Sequence, residues 1–126
     1  MTNRKVRIER KKLLSLPVTK DTFVALRPHY CKIGQVKNIS TEGLTFIYIA
    51  DGKPPSQSFE LDLFLIDRSF HLQQVPFKTI SDVKSDRIPF SSIRMRECTV
   101  QFENLTLQQK DELEYFIHNH SMLGMI

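Results

Sequence analysis

The sequence predicts a mostly β protein, a six- to seven-stranded antiparallel barrel followed by one C-terminal α-helix. Between residues 21 and 103, short segments that alternate apolar and polar residues follow one another. A spacing of roughly 8–12 residues between such segments is typical of a closed barrel or a sandwich. After residue 106 the apolar residues change to helical spacing. We expect this helix to lie over the barrel or over an open edge.

Length and composition indicate one globular domain. The chain has 126 residues, enough to bury a core without disulfides or metals. Its 40% hydrophobic and 25% charged content are both normal for a soluble globular protein. We divide it into a basic N-terminal arm, residues 1–20, and a barrel with its helix, residues 21–126.

The strands are predicted from alternation and from the Gly, Pro and Asp residues between them. The predicted strands are 21–27, 32–37, 44–50, 58–66, 70–74, 75–83 and 93–103. A proline at position 76 indicates an edge or a bulge in its strand. Residues 51–55 and 84–92 are predicted to be loops, and Asp67-Arg68 a tight turn.

Alternation also predicts which side chains form the core. Those expected to point inward are Leu44, Phe46, Tyr48, Ala50, Phe59, Leu61, Leu63, Leu65, Cys98, Val100 and Phe102. Glu60 and Asp62 are expected on the opposite, solvated face.

The helix is predicted over about 106–120. Thr106 and Gln109 have the spacing of a capping box, in which each side chain bonds the backbone amide of the other residue. Leu113, Phe116, Ile117 and His120 then share one face.

The sequence lacks the residue patterns of common enzymes. It has no Walker or Rossmann glycine loop and no Gly-x-Ser-x-Gly elbow. Four carboxylates are interpreted as solvated single residues rather than acid–base pairs: Asp62, Asp67, Asp82 and Asp86. His118 and His120 are two residues apart on a helix and so point in different directions, which disfavours a metal site. We therefore expect no enzymatic activity and no metal or cofactor.

Location is predicted from what the sequence lacks. No apolar run approaches the roughly 20 residues of a membrane span, and no signal peptide is visible. Cys31 and Cys98 are isolated in sequence, and Cys98 falls among apolar strand positions. We expect a cytoplasmic protein with no membrane insertion and no disulfide.

Positive charge is concentrated in the arm. Residues 1–12 carry six basic side chains and one acidic one, a net charge of +5, whereas the whole chain carries +4. This distribution argues for a local contact with an anion and against a broad face for DNA or RNA. The alternative is a solvated chain terminus.

One polar motif, Asn38-x-Ser40-x-x-Gly43, lies between two predicted strands. Residues two apart in an extended chain point to the same side, so Asn38 and Ser40 could meet the edge of a planar polar ligand together. Gly43 would allow a backbone turn that a residue with Cβ resists. The alternative is an ordinary hairpin loop, since Asn, Ser and Gly are common turn residues.

These features resemble the PilZ domain, a small bacterial barrel that serves as a receptor for cyclic di-GMP. The family's Asp/Asn-x-Ser-x-x-Gly loop is present as Asn38, Ser40 and Gly43, and the resemblance covers roughly residues 21–120. The family's Arg-x-x-x-Arg arm is degenerate, because the nearest match reads Arg7-Ile8-Glu9-Arg10-Lys11. Lysine lacks the planar fork with which arginine grips a guanine edge.

The resemblance implies two functions, which the sequence leaves open. In the first, cyclic di-GMP binds at the barrel rim, with Arg7, Arg10 and Lys11 at phosphate and guanine, with Asn38 and Ser40 at the base, and with Gly43 shaping the loop of this nucleotide-binding site. Binding would then order the arm and change a surface offered to an unidentified protein partner. In the second, the chain is a PilZ-type adaptor that does not bind cyclic di-GMP and acts through protein contacts alone.

Overall fold

The structure, a computed structural model, describes residues 16–18, 21–27, 32–50, 59–85 and 94–120. The predictions for the arm up to residue 15, for the loop 51–55, for most of the loop 84–92, for Cys31 and for Asp86 lie outside these residues. The described elements are β1 (Leu16–Pro17), β2 (Thr22–Arg27), β3 (Lys32–Ile39), β4 (Gly43–Ile49), β5 (Glu60–Leu65), β6 (His71–Ser85), β7 (Met95–Phe102) and α1 (Leu107–His120).

Six of the strands form a closed antiparallel barrel. The hydrogen-bonded order is β3-β2-β5-β6-β7-β4, and β4 pairs back with β3 to close it. Closure leaves no long unpaired edge among these strands. The predicted fold class, a mostly β barrel with one C-terminal helix, is confirmed.

The seventh strand, β1, was not predicted. It pairs with the end of β3, with Leu16 opposite Ile39 and Pro17 opposite Asn38. A two-residue strand that contains a proline carries no alternation, so periodicity could not detect it. The sheet thus begins within the segment assigned to the arm.

The barrel core follows the predicted alternation in β4 and β7. Leu44, Phe46 and Tyr48 are buried, as are the three inward residues of β7. The prediction for Phe59 is wrong, since 73% of its surface is exposed. Phe59 precedes β5, which begins at Glu60, and the strand's alternation does not extend past the strand end.

The predicted strands 70–74 and 75–83 are one continuous strand, β6. A bulge places two residues, Gln73 and Gln74, opposite Asp62 of β5, and Gln74 has a φ of 55°. Such a bulge inserts an extra residue and bends the strand. Pro76, which has no amide hydrogen, lies where β6 stops pairing with β5 and begins pairing with β7. The bulge shifts the alternation of apolar and polar residues, and this shift is why the sequence predicted two strands.

The N-terminus of α1 forms the predicted capping box. Thr106 Oγ1 accepts a hydrogen bond from the Gln109 amide at 3.0 Å, and Gln109 Oε1 accepts one from the Thr106 amide at 3.0 Å. Gln109 Nε2 also donates to the carbonyl groups of Gln73 and Gln74, at 3.2 and 3.1 Å. The cap thereby connects the helix to the β6 bulge.

Three of the four residues predicted to share the apolar face of α1 pack on the barrel, and the side chain of the fourth, His120, lies outside the described part of the chain. Leu113 and Phe116 are fully buried, and Ile117 packs against the same core. The ring of Phe116 lies 4.6 Å from that of Phe70, centroid to centroid. Among the described residues, no helix is long and apolar enough to cross a membrane.

Candidate functional site

The predicted polar motif forms the β3–β4 hairpin, which we define as residues 38–43. The Ser40 amide donates to the Gly43 carbonyl at 2.8 Å and closes the turn. The Ser40 hydroxyl accepts a hydrogen bond from the Glu42 amide at 3.1 Å and donates to the Gly43 carbonyl at 3.4 Å. Ser40 therefore holds the turn in shape through its own side chain.

Asn38 differs from Ser40, because the described residues provide no hydrogen-bond donor for its side-chain oxygen. The residue is half-buried, and its Oδ1 atom is buried with no hydrogen-bond partner among the described residues. It pairs with Thr45, whose neighbours Leu44 and Phe46 are buried, so it lies on the outer face of the barrel. A buried acceptor without a partner costs about 1–3 kcal/mol, and such a group in a folded protein calls for a physical explanation.

The outer face beside Asn38 carries further polar groups. Thr45 and Thr99 share a hydrogen bond between their hydroxyl oxygens at 2.9 Å across β4 and β7. Lys37, at the bulge in β3, forms an ion pair with Glu97 at 3.1 Å. The strip from β3 to β7 is thus hydrophilic, and the Asn38 side chain lies within it.

Gly43 is required for a reason other than the predicted one. Its φ lies outside the left-handed region, so the turn itself does not demand glycine. A Cβ at this position would instead overlap the carbonyl oxygen of Val100 on β7. The glycine permits β4 and β7 to approach each other closely.

The basic arm joins the sheet beside this hairpin. The predicted arm residues, Arg7, Arg10 and Lys11, lie outside the described residues. Leu16, the first residue of β1, lies opposite Ile39, which directly precedes Ser40. The Val18 amide continues the pairing with the Lys37 carbonyl at 3.3 Å. The N-terminal end of β1 therefore lies at the hairpin. The sequence analysis did not predict this, because it began the first strand at residue 21.

A buried charge cluster on β2, β5 and β6 was missed by the sequence interpretation. Asp62 is on the predicted face of β5, but it is 1% exposed rather than solvated. It accepts hydrogen bonds from Arg27 Nε and Nη2 at 2.8 and 3.1 Å, and from the Gln74 amide at 3.0 Å. The ring of His71 lies 3.3 Å away. The prediction was wrong because Arg27, His71 and the bulge cover this carboxylate.

The electrostatics of Asp62 fit a structural role. Burial alone would raise its pKa, but the hydrogen bonds from Arg27, Gln74 and His71 outweigh burial and lower the pKa below the ordinary value. The carboxylate is thus ionised and fully engaged. Its two oxygens accept from Arg27, the Gln74 amide and the His71 ring.

A second carboxylate, Asp82, is held at the far end of β4. Tyr48 donates its hydroxyl to Asp82 at 2.6 Å, and Arg96 Nε donates to the same carboxylate at 2.8 Å. Burial, followed by the hydrogen bond to Asp82, raises the pKa of Tyr48 well above its usual range. Asp82 is half-buried rather than on the solvated strand face that we predicted. Spacing could not reveal these partners, because they are 14 and 34 residues away in sequence.

Three further side chains considered in the sequence analysis are those of Asp67, Cys98 and His118. The Asp67 carboxylate accepts the Ser69 amide at 2.9 Å, and Arg68 has a φ of 66°, which confirms a turn there. Burial raises the pKa of the Cys98 thiol to about 12, so it is a protonated core residue. His118 is exposed, and no group of three metal-ligating side chains is close enough to hold an ion within the described residues.

The barrel with its C-terminal helix is a PilZ-like fold. No protein-family model matches the chain, and a search of curated proteins found no match. Among solved structures, the chain is similar to MrkH of K. pneumonia in its apo state, with a TM-score of 0.62. The two are 13% identical, and the match covers 83% of this chain and 48% of MrkH. This chain thus spans about half the length of MrkH, and at this identity the likeness shows the fold alone.

Proposed function

We propose that this protein is a non-enzymatic signalling module that binds cyclic di-GMP on the outer face of the barrel, at the β3–β4 hairpin. The observation that carries the proposal is the buried Oδ1 of Asn38, which has no partner within the part of the chain that the structure describes and lies beside β1, the strand that follows the basic residues of the arm. The PilZ-like fold and the motif of the hairpin support it.

The chemistry of the hairpin suits a guanine base. An amide oxygen accepts hydrogen bonds, and guanine presents N–H donors, including its exocyclic amino group. Because Asn38 as a whole is half-buried, rotation of its side chain would bring Oδ1 to a base on the outer face. A bond there would satisfy the acceptor and stabilise the bound state.

The arm would supply the positive charge that a dinucleotide with two phosphates requires. Arg10 and Leu16 are six positions apart, and a chain of that length spans up to about 20 Å. Arg10 can therefore reach the hairpin, and Arg7 can reach beyond it. Arginine forks would grip phosphate or guanine, and Lys11 would add a point charge. Ordering of the arm on binding would change the surface offered to a protein partner.

Two substitutions in the hairpin should separate its ligand-binding and structural roles. Asn38→Ala should weaken cyclic di-GMP binding at least tenfold, yet not lower the unfolding free energy and raise it by up to about 1–3 kcal/mol, since it removes a buried unsatisfied acceptor. Ser40→Ala should do the reverse and destabilise the fold by about 1 kcal/mol, because the Glu42 amide loses its acceptor. Calorimetric titration and urea unfolding measure the two quantities.

The same titration tests the arm. Arg7→Ala with Arg10→Ala should abolish binding at physiological salt and leave the thermal stability of the free protein unchanged. The matched control is Lys84→Ala with Arg94→Ala, which removes two exposed charges at the opposite end of β6 and β7. Absence of heat up to about 1 mM ligand with the unaltered chain, a binding free energy weaker than about −4 kcal/mol, would contradict the proposal.

A second candidate function is the adaptor that binds no nucleotide. It is favoured by the complete structural roles of Ser40 and Gly43, which shape the turn and the β4–β7 contact without a ligand. If titration shows no binding, this function becomes the better account.

A further inference from the structure

A short stretch of β6, residues 78–85, is paired with a neighbouring strand on one side only. β6 pairs with β5 as far as Pro76 and with β7 from Phe77 to Ser85. The Phe77 amide donates to the Phe59 carbonyl at 3.0 Å on the β5 side. Beyond that bond, no strand in the described part of the chain pairs with this side of residues 78–85, which we call the β6 edge. Such an edge presents backbone N–H and C=O groups to a partner.

Large apolar side chains are exposed along the β6 edge. Ile80 is 55% exposed and Val83 is 53% exposed. Phe59, whose carbonyl accepts the bond from Phe77 where the edge begins, is 73% exposed. Exposed apolar side chains that lie near one another are typical of surfaces that contact other proteins.

The charge available at the β6 edge is positive. Residues 78–85 contain two lysines, Lys78 and Lys84, and both are exposed. Their one carboxylate, that of Asp82, already accepts hydrogen bonds from Tyr48 and Arg96. Lysines on an edge oppose pairing between two copies of the chain, because each copy brings the same positive charges to the interface. The edge therefore favours a partner strand that carries acidic side chains.

We propose that the β6 edge binds an extended, acidic segment of another protein by strand addition. The backbone of the segment bonds the N–H and C=O groups that point away from β7, and its apolar side chains cover Ile80 and Val83. Its carboxylates pair with Lys78 and Lys84. Eight residues of strand extend over about 26 Å, so the segment has to be of similar length.

This inference goes beyond the proposed function and does not rest on it. Strand addition at the β6 edge requires no nucleotide, so it would survive a failure to bind cyclic di-GMP. Conversely, a loss of strand addition would leave nucleotide binding at the hairpin unaffected. The experiments below therefore contain no nucleotide.

Hydrogen exchange of the free chain, followed by NMR, tests whether the β6 edge is open. We expect rapid exchange of the amides in residues 78–85 that point away from β7, because they are outside the ladder. The amides from Arg96 to Val100 are the internal reference, since β7 pairs there with both β4 and β6, and these amides should be protected. Uniform protection of residues 78–85 would show that the edge is already covered and would overturn the proposal.

Fluorescence anisotropy with a labelled eight-residue peptide of alternating valine and glutamate tests the partner chemistry. We expect saturable binding with a Kd below about 1 mM. Two further peptides carry N-methyl groups on the valine amides or on the glutamate amides. Because alternate amides of a strand point to opposite sides, one of the two should lose binding at least tenfold while the other keeps it. Equal binding of both, or no binding of the parent peptide, would overturn the proposal.

A charge reversal at the β6 edge tests the contact from the side of the protein. Lys78→Glu should weaken binding of the valine–glutamate peptide about tenfold, because like charges opposite each other on neighbouring strands repel. Lys110→Glu makes the same change at an exposed residue of α1 and should leave the Kd within about twofold. Equal effects of the two substitutions would overturn the proposal. So would dimerisation of the free chain through this edge in analytical ultracentrifugation, which would make a second copy the occupant.

Discussion

Asp62→Ala is expected to lower the free energy of unfolding by about 2–4 kcal/mol, because it leaves the half-buried Arg27 guanidinium without its partner and removes a buried acceptor of several hydrogen bonds. The Asp62 side chain is 2% exposed and bonds the Arg27 guanidinium through two nitrogens. The substitution also leaves the Gln74 amide without its acceptor. Gln74 lies in the bulge with a φ of 55°, and this hydrogen bond stabilises that conformation. Urea denaturation at pH 7 measures the change.

The contribution of Asp62 should depend on pH in a defined direction. Its pKa is lowered in the folded chain, so the folded state favours the ionised form. The stabilisation is present above the unfolded pKa, about 3.9, and is lost as the pH falls through the lower folded value. The unaltered protein should therefore lose stability in acid more steeply than Asp62→Ala. Asp111→Asn, which alters an exposed carboxylate, should leave the acid slope unchanged. A loss below 1 kcal/mol at pH 7 would contradict the structural role.

Gly43→Ala is expected to destabilise the barrel by about 2–4 kcal/mol. The added Cβ would overlap the Val100 carbonyl, and because that atom belongs to the backbone of β7 it cannot move aside by a change of rotamer. The β4–β7 ladder, which begins with Gly43 opposite Gln101, would have to shift. Urea unfolding of the ligand-free protein measures the cost.

The control for Gly43→Ala is Thr41→Ala, two residues away at the exposed hairpin tip. It should change stability by less than about 0.5 kcal/mol. If Gly43→Ala were equally harmless, the close approach of β4 and β7 would not be the reason for the glycine.

Local regularities of the sequence predicted much of the fold. Alternation identified the inward residues of β4 and β7, and the spacing of Thr106 and Gln109 identified the helix cap. These signals are readable because each depends on residues two to four positions apart. They fail where the backbone is irregular. At Gln74 in β6 the positive φ interrupts the alternation, and the sequence therefore predicted two strands where the structure has one.

The sequence could describe the surroundings of the candidate site only in part, for the same physical reason. The sequence identified Asn38 and Gly43, but the buried oxygen of Asn38 and the contact of Gly43 with Val100 depend on strands distant in sequence. The burial of Asp62 likewise depends on Arg27, which is 35 residues away. β1 carries no sequence signal at all, and its pairing is what places the attachment of the arm at the hairpin.

The most direct test of cyclic di-GMP binding at the hairpin is an amide NMR titration of the full chain. We expect saturable shifts in the backbone amides from Ser40 to Gly43 and in the side-chain amide of Asn38, with little change near Tyr48 at the other end of β4. Absence of shifts at about 1 mM ligand, or shifts concentrated around Tyr48 and Arg96, would contradict the account.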